Sequence, residues 1–295
     1  MGEAETGSGA GALRLSPEAE ATLGEILAAG GLADLVRTMT EVFFGEGEGT
    51  PRGRADAEAL GWTHPGTGRL TLLGGCAADS CREWRFWEER GRRLPFEQGV
   101  PPLTAAHFAG RTVVEIGCGM GANLMSLADL PGRRVGIEPV PAYAQLGAAF
   151  RAAQGLPALE IRAGSGEAVP AASFEADTVL CVTAHQYMDV AAALAEMARI
   201  LRPGGELILI GGTLGAYLRA CSLARWRADA LTVVNTLGLM ATGRRPIPAR
   251  GPSSTSRPVY PTVRHMTGLL RAAGLLLERP PFPVGAETCF LARKA

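Results

Sequence analysis

The stretch from Val113 to Asn123, Val-Val-Glu-Ile-Gly-Cys-Gly-Met-Gly-Ala-Asn, constrains this chain more than any other. A β-favouring run enters three glycines spaced two apart, and a helix-forming segment follows, which reads as strand, tight turn and helix. Glycine has no Cβ, so such a turn can bend sharply and bring its backbone close to a ligand. The sequence beyond it has matching texture. Apolar runs at 112–116, 134–138, 158–162, 177–182, 206–210, 275–279 and 287–293 alternate with helical patterns at about 121–130, 140–154, 188–201 and 262–273. That alternation predicts a doubly wound α/β sheet, with ligands beyond the carboxyl ends of its strands.

Upstream, residues 1–13 are Gly/Ala-rich and are expected to be a disordered tail; 14–95 are expected to form an N-terminal helical cap. Ser16, Pro17, Glu18 and Glu20 give a helix start, Gly30-Gly31 breaks it, and Leu32, Leu35, Val36, Met39, Val42 and Phe43 recur at helical spacing. Residues 45–68 read as loop, and 83–93, with Trp84, Phe86 and Trp87, as a helix leading into the main domain at 96–295. After the fifth strand comes an insertion, 212–261. Its first part, 217–240, reads as helical, and 241–261, rich in Pro, Arg, Gly and Ser, as a flexible loop.

Composition narrows the partners. Lys+Arg and Asp+Glu are equal at 29 each, which argues against nucleic acid. No apolar run reaches the roughly 18 residues a membrane span needs. The six cysteines show no paired framework, which fits a reducing, cytoplasmic compartment. Cys76 and Cys81 stand alone, short of the about four ligands a zinc site needs, so no metal is expected. The N-terminal helices are a candidate homodimer surface.

Two cofactors fit the glycine loop taken alone, since Gly117, Gly119 and Ala122 also match the G-x-G-x-x-G/A pattern of NAD(P)-dependent oxidoreductases. Glu115 favours a cationic ligand over a pyrophosphate. Glu138, at the tip of the second strand, suits ribose hydroxyls in either case. Leu201-Arg202-Pro203-Gly204-Gly205-Glu206-Leu207 makes a turn into the fifth strand.

With these three elements in order, the chain resembles the class I S-adenosylmethionine (SAM)-dependent methyltransferases. It is most similar to the small-molecule group with ubiquinone/menaquinone-type and natural-product enzymes. The resemblance implies a Rossmann-like, seven-stranded, mostly parallel sheet with its last strand antiparallel. It implies that Glu115, Gly117, Cys118, Gly119, Gly121 and Asn123 hold the methionine end of SAM, and that Glu138 with Pro139 holds the ribose. Ser165, Gly166 and Glu167 would cradle the adenine, although Ser165 stands where the family has an acid. Val182 and Thr183 would complete the cofactor site.

Methyl transfer is an in-line displacement in which alignment and desolvation dominate. At the tip of the fourth strand, His185 is the candidate base, with an ordinary pKa of about 6.5; the alternative is a loop residue packing on the cofactor or capping a helix. Tyr187 reads as a pocket wall. His265 and Tyr260 would face the substrate if the insertion folds over the pocket, and 241–261 would be a lid carrying Arg244, Arg245, Arg250 and Arg257. Trp87 is a candidate substrate contact with core packing as the alternative, and Arg219, Arg225 and Arg227 form a basic helical face. The expected function is methyl transfer to O, N or C of a small organic acceptor of secondary metabolism. The alternatives are an NAD(P)-dependent oxidoreductase and a SAM-binding protein with other chemistry.

Overall fold

The computed structural model describes residues 13–99, 101–220, 226–242 and 258–295. The expected tail, the arginines of the expected lid (Arg244, Arg245, Arg250 and Arg257) and Arg225 lie outside the described residues, as does the Arg227 side chain.

Eight strands form one sheet: β1 Arg111–Ile116, β2 Gly132–Glu138, β3 Glu160–Ala163, β4 Ala176–Val182, β5 Leu201–Gly211, β6 Leu275–Leu277, β7 Phe282–Val284 and β8 Glu287–Lys294. Their order is β3-β2-β1-β4-β5-β8-β6, with β7 also pairing β8. The first five strands run parallel, and β8 is antiparallel to β5, β6 and β7. The short β7 is one strand more than the sequence predicts, because a Pro-rich stretch turns back onto β8. The chain leaves β1 to one side for β2 and β3 and returns to the other for β4 and β5. The crevice where that order reverses, between the tips of β1 and β4, is where such sheets bind ligands. Thr178 to Cys181 are buried in an almost unbroken apolar run, as expected for a strand covered on both faces. Pairing passes from Ala176↔Leu201 directly to Thr178↔Glu206, so residues 202–205 loop out as a bulge inside β5, with Arg202, Pro203 and Gly204 exposed.

Four helices precede the sheet: α1 Pro17–Ala28, α2 Leu32–Phe44, α3 Pro51–Ala59 and α4 Leu72–Glu89. The Ser16 hydroxyl accepts from Ala19 N at 3.2 Å, the cap its sequence announces. Helix α3 corrects the loop expected at 45–68. Its start signal is Thr50-Pro51, and the Thr50 hydroxyl accepts from Gly53 N at 3.0 Å. Helix α4 begins well before residue 83, because Thr71 caps it by accepting from Gly74 N at 2.9 Å. The rest are α5 Ala122–Met125, α6 Pro141–Ala153, α7 Val190–Ile200, α8 Leu214–Ala220, α9 Trp226–Thr242 and α10 Val263–Ala272.

Helices α1, α2 and α4 share one core with α6, built on Leu23, Leu35, Met39, Trp84, Leu146 and Phe150. Here the expectation for Trp87 is corrected. It is 2% exposed, and its indole N–H donates to Ser126 Oγ at 3.0 Å, so it locks α4 onto α5 and does not face a substrate. Cys76, Cys81, Cys118, Cys181 and Cys289 are free and buried, and burial pushes the Cys76 thiol up to about 11. Among the described residues no helix is long and apolar enough to cross a membrane.

Candidate functional site

Strand β1 carries Glu115 to the edge of the crevice and delivers the chain into the glycine turn. Gly117 and Gly119 have φ of +69° and +56°, the left-handed region that favours glycine. A methyl group on Gly117 would stand 2.5 Å from the Ala184 Cβ, so the turn lies directly against the tip of β4. Behind the turn, the Arg151 guanidinium of α6 donates to the Met120 carbonyl at 2.9 Å. Cys118 points away from the crevice: its thiol packs against Gly136 of β2, leaving only its backbone to the site.

The carboxylates are placed tightly. Glu115 is 1% exposed; one oxygen accepts from Asn123 Nδ2 at 2.6 Å, and the other, Oε2, has no hydrogen-bond partner. Burial pushes its carboxyl up to about 8, against the Asn123 bond and with help from Glu138. Glu138, at the tip of β2, accepts from Gly119 N at 2.9 Å and from Val140 N at 3.0 Å, and so fastens the turn to its own strand. Burial pushes it up to about 7. A buried carboxylate with a vacant lone pair is costly unless a cation or donor meets it. The group these residues fit is therefore cationic near Glu115 and hydroxyl-bearing near Glu138, which SAM is.

The turn at 165–168 lies beside the loop. Ser165 bridges to Ala168, and a methyl group on Gly166 would stand 2.5 Å from Met188 Sδ. Met188 also touches the Gly117 position, so it joins the ends of β1, β3 and β4. Glu167 accepts from Asp189 N at 2.7 Å, which ties this turn to the start of α7. Pro139 and Val182 are half-buried, and Thr183 is exposed at the β4 tip with φ +52°, a conformation uncommon for a β-branched residue.

Tyr187 is 42% exposed beside Thr183, and the charges of Asp79 and Arg82 on α4 act on its phenol. His185 is corrected as a base. It is 1% exposed, and burial lowers its pKa to about 4, partly offset by a backbone hydrogen bond at Gly212. The ring is wedged against Gly211, where a Cβ would come within 2.3 Å of it. His265 is corrected too: it lines a separate groove of 430 Å³ with Met240, Thr262, Arg264, Gly268 and Leu269. Tyr260 does reach the strand tips, stacking on Tyr217 at 4.6 Å and covering Gly212.

The helix expected at 83–93 is part of α4, but the sequence gives its acidic face no role. Helix α4 sends Asp79, Arg82 and Glu83 towards the glycine turn. Arg82 pairs with Asp79 at 2.5 Å, and the Tyr143 hydroxyl donates to Asp79 at 3.2 Å. A methyl group on Gly119 would stand 3.1 and 3.3 Å from the two oxygens of Glu83. No local motif marks these residues.

Residues 114–209 match a family model described as a methyltransferase domain. The phthiotriol/phenolphthiotriol dimycocerosates methyltransferase of Mycobacterium leprae is 30% identical over 210 residues, 65% of this chain and 73% of its own length. Nocamycin O-methyltransferase of Saccharothrix syringae is 34% identical over 127 residues, 41% of this chain and 45% of its own. The chain spans about half the length of most of the curated relatives it matches. The fold aligns with a chain of the complex between the Haloferax volcanii Trm112 methyltransferase activator and a methyltransferase. There the TM-score is 0.51 and the identity 17%, over 76% of this chain and 97% of that one, a likeness of fold alone.

Proposed function

Because the chain belongs to the class I SAM-dependent methyltransferases, we propose that it methylates a small organic acceptor held above the tips of β4 and β5. The observation that carries this reading is the buried Glu115 with its unpartnered Oε2 beside the glycine turn. SAM supplies an electrophilic methyl group when bound. Glu115 and the Gly117–Gly121 backbone would hold its methionine end, Glu138 its ribose, and the turn at 165–167 its adenine. The nicotinamide alternative gives way to the family assignment.

The region beside the strand tips that we assign to the acceptor is polar. Val259 N donates to the Gln186 carbonyl at 2.9 Å and Tyr260 N to Thr236 Oγ1 at 3.1 Å, drawing α9 and the segment before α10 onto the strand tips. Buried Gln186, Thr213, Thr232, Asn235 and Thr236 give this region hydrogen-bonding groups. Such a chamber suits an acceptor with oxygen or nitrogen functions. The relatives named for nocamycin and for phthiotriol dimycocerosates support a small organic acceptor of the secondary-metabolite type, and the former favours oxygen. His185, neutral and enclosed, would wall this chamber, while Tyr187 and Tyr260 would flank the acceptor. Alignment and exclusion of water, which these residues provide, are the main demands of such a displacement.

The test is a titration followed by a transfer assay. Calorimetry should detect SAM and S-adenosylhomocysteine but not NAD(H). Isotopically labelled methyl should then pass from SAM to at least one member of a panel of phenols, alcohols, amines and carboxylic acids. Binding of NAD(H) without SAM would sink the reading.

A further inference from the structure

Glu83 is a carboxylate without a counterpart. It stands on α4, a helix of the N-terminal segment, and its two oxygens lie against the second glycine of the turn. No hydrogen bond or ion pair reaches it among the described residues. The nearby Arg82 is engaged by Asp79 at 2.5 Å; Arg90, about two helical turns further on, interacts with the Glu83 charge. Around it stand Asp79 from the same helix, Glu115 from β1 and Glu138 from β2, all near enough to act on its ionisation. Four acids around a single turn repel one another, and an arrangement so costly persists where something cationic is to be met. Glu115 gives independent support, because its Oε2 is buried and unpartnered at the same place. Glu83 is only half-buried by surface exposure, so a molecule in the crevice can reach it.

Resting on the cofactor assignment above, we propose that Glu83 is a further cofactor-binding residue, through which the N-terminal helices take the cationic methionine end of SAM. The methionine end carries an ammonium and the sulfonium beside a single carboxylate, a net positive charge, and Glu115 has one vacant oxygen for the two cations. A second carboxylate from the opposite wall lets each cation face an anion. Burial and the neighbouring acids push the free Glu83 carboxyl up to about 8, so an arriving cation favours the ionised form and displaces the proton. The N-terminal segment is thereby part of the cofactor site as well as a cover for the acceptor.

The experiment measures Kd by calorimetry for SAM, S-adenosylhomocysteine and the uncharged 5′-methylthioadenosine, with parent, Glu83→Gln and Glu83→Asp, alongside thermal melts without ligand. Glu83→Gln should weaken SAM about tenfold, the effect of one charged hydrogen bond, and leave 5′-methylthioadenosine unchanged. It should melt no lower than the parent, because it removes an acid crowded by three others. Glu83→Asp, which keeps the charge, should recover most of the SAM affinity. Equal loss for S-adenosylhomocysteine assigns Glu83 to the ammonium, and no loss assigns it to the sulfonium. Unchanged SAM affinity in Glu83→Gln overturns the proposal, as does equal weakening of all three ligands with a lower melting temperature. A parent that binds none of the three overturns the cofactor reading itself.

Discussion

Glu138 serves two ends with one carboxylate. Its oxygens accept from Gly119 N and Val140 N, so it shapes the glycine turn while presenting lone pairs to the crevice. Truncation therefore removes a ligand contact and a loop clamp together. Glu138→Ala is expected to weaken SAM by about 2–3 kcal/mol, the scale for losing charged hydrogen bonds to an enclosed ligand. Glu138→Gln, which keeps one acceptor oxygen, should lose less. Calorimetric titration of both variants decides it, and parent-like affinity in Glu138→Ala would remove the residue from the site. His185 shows the reverse case, a histidine at a strand tip whose burial keeps it neutral.

Helix α4 is the element on which the site depends. One face packs Trp84 and Trp87 into the core shared with α6, with Trp84 edge-on to Phe150 at 5.7 Å. The other brings Asp79, Arg82 and Glu83 to the crevice. The packing face sets where the acidic face stands, within the tenths of an ångström that a close-packed core tolerates. Trp84→Ala is expected to cost about 3–5 kcal/mol of stability, the range for deleting a buried aromatic, and to lower the melting temperature. SAM affinity at a temperature where the variant is still folded should fall as well, because Glu83 moves with the helix. A variant that melts like the parent would mean that α4 is not anchored through this residue.

At the scale of the molecule, these acids make stability depend on pH in an unusual direction. Glu83 and Glu115 are raised to about 8 and Glu138 to about 7, from an ordinary 4.5. The folded state then holds more protons than the unfolded one between about pH 4.5 and 8. Their contribution is fully present below pH 4.5 and is lost as pH rises through 8. His185, lowered from 6.5 to about 4, works the other way but only below pH 6.5. Between pH 6.5 and 8 the carboxylates act alone, with Asp79, Arg82 and Arg90 as the other charges facing Glu83. The ligand-free protein should therefore lose stability steadily across that window. Saturating SAM should flatten the slope. Denaturant melts at pH 6.5, 7.25 and 8 measure it, and ligand-free stability that rises with pH would contradict the assignment.

What the sequence determined by itself was local. The strand, glycine turn and helix at 113–123, the cap at Ser16, and the alternation of apolar runs follow from backbone sterics and side-chain periodicity within a few residues. They suffice for the sheet and for Glu115 and Glu138, because a residue at a strand tip in such a sheet has one place to point. The Thr50-Pro51 start of α3 was equally legible and was hidden by the glycines and charges around it. What only the tertiary structure decided depends on contacts between distant segments. Whether Trp87 meets a ligand or Ser126, whether His185 opens on the crevice or on Gly211, and whether Glu83 faces solvent or the glycine turn cannot follow from spacing. Each is set by the rotation of one helix or loop against the sheet. That rotation is fixed by the packing of the whole core, which no stretch of neighbouring residues encodes.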